Sequence, residues 1–291
     1  MSRDAATEAW VAHRNLLFTV AYEMLGSADD AEDVLQEVWL RWADVPVEEV
    51  RDTRAYLVRI TTRLALNQLR SRSRRREEYV GPWLPEPLLT TPDVAEDVEL
   101  AESLSTAMLL VLETLSPPER AVFVLREVFD VPYDEIARAV DKSPAAVRQI
   151  AHRARSHVAA RRPRRSVTAD ERQVVFERFM AAVAGGDLQS LVDVLAPDMV
   201  LITDGGGVKK AALRPIHGAD KALRFLMGVY DASSAVEVVL VGGTPALRLD
   251  LGGELEAIAT LTIEDGLVTH AYIVRNPHKL GRMDAPAPLT R

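Results

Sequence analysis

The chain has 291 residues, no cysteine, 48% hydrophobic and 5% aromatic residues, and a formal net charge of −8. That length exceeds what one hydrophobic core ordinarily serves, so two or three domains are expected, and the missing cysteines exclude a disulfide framework or a thiolate metal site. No secretory leader pattern opens the chain and no run approaches the ~18 consecutive apolar residues of a membrane span, which predicts a soluble intracellular protein without a membrane role.

Net charge conceals segregation. Residues 27–50 hold eight acids and one Arg, residues 51–76 nine Arg against Asp52, and residues 141–165 eight Lys or Arg against Asp141. Two compact basic blocks in an acidic chain imply two surfaces that meet a polyanion.

From Ala5 to about Arg76 the apolar spacing is helical. "DDAEDVLQEVWLRW" places Ala31, Val34, Leu35, Val38 and Trp42 on one stripe and leaves Glu32, Asp33, Gln36 and Glu37 solvated. An acidic face of this kind repels DNA and suits a basic protein partner. The next helix packs through Tyr56, Leu57, Ile60, Leu64 and Leu69, and gathers Arg59, Arg63, Asn67 and Arg70 on one polar face. Residues 5–78 are thus read as one helical domain.

"GPWLPEPLLTTPD" carries four prolines in thirteen residues and cannot continue a helix. Residues 79–97 are read as a linker that, extended, reaches about 60 Å. Its Trp83, Leu84, Pro85, Pro87, Leu88 and Leu89 are more apolar than a free tether needs, which marks a docking surface.

Helices resume at Val98 in a second helical domain, residues 98–165. "VPYDEIARAVDKSPAAVRQIAHRARSHV" reads as helix, short turn, helix, with Ser143 as N-cap and Pro144 at the first helical position. Val147, Ile150, Ala151, Ala154 and Val158 face a core, so Arg148, Gln149, His152, Arg153 and Arg155 remain for a partner. A helix presented in this way can enter a major groove, with Arg and Gln reading base edges and flanking Arg neutralising phosphates. A merely solvated basic face would leave the preceding turn and the second basic block unexplained.

Residues 166–285 differ again, and residues 286–291 form a tail. A helix over 170–184, a helix and strand in "GGDLQSLVDVLAPDMVLITDGGG", a helix in "HGADKALRFLMGVY" and a series of β-rich runs predict an α+β domain. Gly pairs and an Asp-Gly at 265–266 mark hairpins. Asp204, His217, Asp250, His270 and Tyr272 are its titratable candidates for a cavity, but no motif pairs a base with an orienting group. A ligand-sensing pocket for a small molecule therefore ranks above catalysis, and no cofactor or metal is expected.

Over residues 5–160 this order of parts resembles the extracytoplasmic-function (ECF) class of bacterial alternative sigma factors. "DAEDVLQEVWLRW" is similar to the helix with which that family docks on the RNA polymerase clamp, which implies core-polymerase contacts for Asp33, Gln36, Glu37 and Leu40. "AYLVRITTRLALNQLRSRSRR" resembles its reader of the −10 promoter element, which would use Arg59, Arg63, Asn67 and Arg70. "LSPPERAVFVLREVFDVPYDEIARAVDKSPAAVRQIAHRAR" resembles its −35 reader, with Ser143, Arg148, Gln149, His152, Arg153 and Arg155 at the DNA and the polymerase flap nearby. Residues 168–285 look like a SnoaL-like domain of the NTF2-like fold, a cone of curved sheet and helices, found in the SigJ-like group of these factors.

That group's signatures stand here as Trp83, Leu84, Pro85, Glu86 and Pro87; as Asp204, Gly205, Gly206 and Gly207; and as Asn276, Pro277 and Lys279 within "NPHKL". The resemblance implies that the extension docks on the sigma domains and linker and regulates them in cis. The expected protein is a multi-domain one: two all-α sigma domains, then an α+β cone. It would be a non-enzymatic, monomeric, cytoplasmic factor that joins the nucleoid with polymerase and promoter DNA. The rival is a one-component helix-turn-helix regulator with a ligand-sensing domain, which leaves the acidic helix and the 51–76 block without a role.

Overall fold

The computed structural model describes residues 2–161, 168–185, 188–229 and 235–291. The chain forms two compact units: Met1–Glu77, Thr90–Arg162 and Ala287–Arg291 make the first, Glu78–Leu89 and Pro163–Pro286 the second.

The first unit is helical. Helix α1 (Ser2–Leu25) ends at Gly26, whose φ of 67° allows the chain to reverse at once. Ser27 then caps α2 (Ala28–Trp42) by accepting the Asp30 N–H at 3.3 Å. The apolar stripe of α2 is buried as its spacing dictates, and the Trp42 indole N–H donates to the Ala6 carbonyl at 2.8 Å. Across these helices lies α3 (Thr53–Glu77), tied to α2 where Gln68 donates to Asp30 at 2.8 Å.

The rest of this unit is built from short helices with capped starts. Thr91 and Pro92 begin α4 (Pro92–Glu96), so the end of the stretch read as linker is helical. Asp97 caps α5 (Val98–Leu104), Ser105 caps α6 (Thr106–Glu113), and a Ser116–Glu119 capping box opens α7 (Pro117–Phe123). One turn of π-helix over Val124–Val128 follows. Then α8 (Tyr133–Val140) stops at Asp141 in the left-handed region, and Ser143 caps α9 (Pro144–Ala159). Three residues between two helices, with a side-chain cap on the second, make the helix-turn-helix that the sequence announces.

The second unit is α+β. Helices α10 (Ala169–Gly185) and α11 (Leu188–Val194) precede β1 (Leu195–Asp204). Then come β2 (Ile216–His217), α12 (Ala219–Val229), β3 (Ala235–Val241), β4 (Thr244–Leu251), β5 (Glu254–Glu264) and β6 (Leu267–Val274). One sheet in the order β2-β1-β6-β5-β4-β3 contains them, antiparallel except for the β1–β6 pair. Its three hairpins turn on Gly242-Gly243, Gly252-Gly253 and Asp265-Gly266, each with positive φ at both positions, as two-residue turns matched to strand twist require. Val175 and Phe176 of α10, Val194 of α11 and Ala222 and Leu223 of α12 pack against Leu201, Leu247, Ala259 and Ala271 of the sheet.

The proline-rich stretch belongs to this second unit. Leu89 bridges Val241 on the edge strand β3, and Gly242 N–H donates to the Leu88 carbonyl at 3.0 Å. Leu84 and Leu88 are buried, as are Pro85, Glu86 and Pro87. Among the described residues no helix is long and apolar enough to cross a membrane.

Candidate functional site

The sequence singles out four groups of residues, and three of them lie on the first unit. On α2, Asp33, Gln36, Glu37 and Leu40 are all exposed, and Leu40 is 64% accessible on the face opposite the buried stripe. Leu40 is thus an exposed apolar side chain beside exposed acids.

On α3, the Arg59 guanidinium lies over the Tyr56 ring at 5.0 Å, and Asn67 and Arg70 are exposed. Arg63 is engaged: it donates to the Arg138 carbonyl at 2.8 Å and the Ala139 carbonyl at 3.4 Å. Those carbonyls end α8, where the helix leaves acceptors unpaired and the dipole is negative. The basic run continues along α3, but the side chains of residues 72–77 lie outside the described ones.

On α9, Ser143, Arg148, Gln149, His152, Arg153 and Arg155 are all exposed. Arg148 lies over the Tyr133 ring at 5.6 Å, Arg155 pairs with Glu127 at 3.0 Å, and Arg153 stands 3.9 Å from Glu119. Most of the final Arg cluster, residues 162–165, lies outside the described residues.

The fourth group meets around Asp204 in the second unit. This carboxylate is fully buried at the end of β1. Oδ1 accepts from the Tyr79 hydroxyl at 2.6 Å and the Gly206 N–H at 3.0 Å; Oδ2 accepts from the Leu84 N–H at 2.9 Å and Lys279 Nζ at 2.7 Å. The Lys279 ammonium also donates to the Leu84 carbonyl at 2.5 Å and lies 4.1 Å from the Trp83 ring centre and 4.9 Å from that of Tyr79. Asn276 donates from Nδ2 to the Tyr79 hydroxyl at 2.8 Å and accepts the His278 N–H. Burial and the adjoining Asp204 carboxylate push the Tyr79 phenol far above its ordinary range, so it stays a donor. Three segments far apart in sequence thereby share one buried charge.

The glycines after Asp204 are steric necessities. A Cβ on Gly205 would stand 2.2 Å from the Lys209 carbonyl oxygen, and one on Gly206, whose φ is 59°, 2.3 Å from Asn276 Nδ2. Gly206→Ala is expected to lower stability by ~1–3 kcal/mol, read as a fall in the melting temperature of the full chain; an unchanged melting temperature would show that the loop can rearrange.

Tyr79 escapes sequence reasoning, although it supplies the hydroxyl joining Asp204 to Asn276; a lone tyrosine after an arginine run carries no local signal. Of the remaining titratable candidates, Asp250 pairs with Arg248 at 2.9 Å and His270 stacks on Tyr272 at 5.9 Å. Desolvation by burial lowers the His270 pKa and raises that of Tyr272 to about 12. His217 is exposed on β2. They do not converge with Asp204, which the linker occupies. Among the described residues no three His, Asp or Glu are grouped to hold a metal.

A helical unit with an exposed acidic helix face, a basic helix and a capped helix-turn-helix is the arrangement of a sigma-type transcription factor. Residues 10–75 match the family model for Sigma-70 region 2, and residues 105–158 that for Sigma-70, region 4. The chain belongs to the ECF RNA polymerase sigma factors: it is 39% identical over 284 residues to ECF RNA polymerase sigma factor SigJ of Mycobacterium tuberculosis, covering 92% of this chain and 91% of that one. A probable ECF RNA polymerase sigma factor SigI of the same organism is 33% identical over 286 residues, 97% of each chain. The crystal structure of Mycobacterium tuberculosis SigJ superimposes with a TM-score of 0.76 at 35% identity, over 94% of this chain and 98% of that one.

Proposed function

We propose that this ECF sigma factor binds core RNA polymerase through the exposed face of α2 and reads two promoter elements, with α3 at the −10 element and α9 at the −35 element. The SnoaL-like second unit regulates it in cis, without catalysis, by holding the linker. The observation that carries the regulatory part is the Asp204 cluster, in which a carboxylate, a lysine and an asparagine of the second unit grip residues 79–84. A linker bound in this way cannot set the spacing between two DNA readers as a free tether would. Arg63 supports the same reading, because its bonds to the end of α8 must break before it reaches a phosphate.

In vitro transcription with purified core polymerase tests this, comparing the full chain with a version ending at Arg165 on a library of promoter fragments. Specific initiation by either form is expected, with different yields for the two. Equal yields would refute regulation in cis, and polymerase-independent binding to duplex DNA without initiation would refute the sigma assignment.

Readout and phosphate contacts separate by mutation. Replacing Arg148 or Gln149 by Ala is expected to relax discrimination at one base pair by ~1–3 kcal/mol. Arg161→Ala should weaken all sequences alike and flatten the salt dependence by about one ion. Uniform losses for the first pair, measured across a promoter library, would remove the readout assignment.

A further inference from the structure

Residues 287–291 return to the first unit after the whole second unit has been built. They are held there by three different interactions. Leu289 is 2% exposed. Thr290 N–H donates at 3.1 Å to the hydroxyl of Thr19, a fully buried residue of α1 whose own proton goes to the Asn15 carbonyl. Arg291 pairs with Asp97 at 2.7 Å and with Glu99, the cap and the first turn of α5.

Each partner has a reason to receive this segment. Thr19 Oγ1 has already spent its one hydrogen, so only a donor can satisfy its remaining acceptor capacity, and a backbone N–H supplies one. Asp97 and Glu99 stand at a helix start, where they favour the helix but repel one another, and a guanidinium between them relieves that repulsion.

Thr19 lies within the region 2 match, whereas Asp97 and Glu99 lie just before the region 4 match. The segment therefore spans the joint between the two promoter-reading regions. We propose that residues 289–291 act as a latch that clips α1 to α5 and restrains the regions from separating, with promoter use increased when it is released. This deepens the proposed regulation in cis and rests on it: the contact that restrains the promoter readers would be residues 289–291 as well as the linker grip. Because the segment is tethered at its own site, it competes at high effective concentration while remaining easily displaced, as its contacts are few.

The test uses the full chain with polymerase present or absent. Deletion of residues 287–291 is expected to raise hydrogen exchange of amides in α5 and around Thr19 about tenfold, and Arg291→Glu about threefold. The double variant Arg291→Glu, Glu99→Arg, which leaves the Asp97 cap of α5 in place, should return exchange part of the way towards that of the unaltered chain, which a merely unfolded variant would not do. Transcript yield should rise at least about twofold in the first two variants. Exchange unchanged in both would overturn the latch, and so would faster exchange with unchanged yield. If no form initiates transcription at all, the sigma reading itself has failed, and exchange alone then decides whether the segment clips α1 to α5.

Discussion

Replacing Asp204 by Ala is expected to destabilise the second unit by ~3–5 kcal/mol, because it strips the counter-charge from a lysine side chain only 11% exposed and orphans the Leu84 N–H and Tyr79 hydroxyl. Lys279→Ala should cost about as much, since it leaves the carboxylate buried with neutral donors only. The double variant is expected to lose far less than the sum, as the two charges share one burial penalty. Limited proteolysis within residues 78–89, together with urea titration of the full chain, reads both effects. Additive losses would show that Asp204 and Lys279 are not coupled. Asp204→Asn is no milder control, because an amide would set its own N–H₂ against one of the donors.

The second large effect depends on pH. Glu23 of α1 is fully buried, and burial raises its pKa to about 8 against the opposing pull of the Ser103 hydrogen bond and the Arg120 charge. Burial favours the protonated form, and the contacts around the carboxyl offset it only in part. Ser103 Oγ lies 2.7 Å from Glu23 Oε1 and 2.8 Å from the Leu100 carbonyl, so its single proton goes to that carbonyl when the carboxyl donates to the hydroxyl. Arg120 brings its guanidinium to the Glu23 backbone carbonyl, at 2.8 and 3.0 Å, and its charge to Glu113 at 2.5 Å. The carboxyl thus has no full counter-charge of its own.

In the unfolded chain Glu23 titrates near 4.5 and in the folded one near 8. Below pH 4.5 the two states hold the same proton; between 4.5 and 8 the unfolded state loses it first, and stability falls by about 1.4 kcal/mol per unit at the steepest. Above pH 8 the penalty is constant. Glu23→Gln keeps a donor for Ser103 and removes the titration, so its advantage over the unaltered chain should grow from pH 5 to pH 8. Tryptophan fluorescence in urea follows it, because Trp10, Trp39 and Trp42 all lie in the first unit. A stability difference that does not vary with pH would place the carboxyl in the ionised form throughout. Glu23, Ser103 and Arg120 sit on α1, α5 and α7, so the same titration acts on the packing of region 2 against region 4.

Local signals in the sequence account for much of this architecture. Ser27, Asp97, Ser116 and Ser143 begin helices where their side chains can cap them, and the Gly-Gly and Asp-Gly pairs turn three hairpins. The polar faces of α2, α3 and α9 follow directly from helical period, as does their exposure. What the sequence does not carry is pairing over long separation. Nothing near Arg63 says that its acceptors are carbonyls 75 residues on, and nothing near Glu23 says that Ser103 and Arg120 will enclose it. The parallel β1–β6 pair and the bridge of Leu89 to Val241 depend on the finished sheet. The linker's apolar residues marked a docking surface and the family signatures pointed to Asp204 and Lys279, but the part of Tyr79 and the bonds to the Leu84 backbone come only with the fold.

The Asp204 cluster also has a consequence in time. Leu84 leaves the ribosome 195 residues before Lys279, the residue that closes over it. At ~5–20 residues per second that interval is about 10–40 s, during which no grip on the linker can form, and for the part of it between Ala159 and Lys279, about 6–24 s, α1 to α9 have all been made. Contacts this distant in sequence form late and slowly. Each molecule therefore passes through an early life with α1 to α9 made and the Asp204 cluster unfinished, and a message cut short before residue 204 leaves it there.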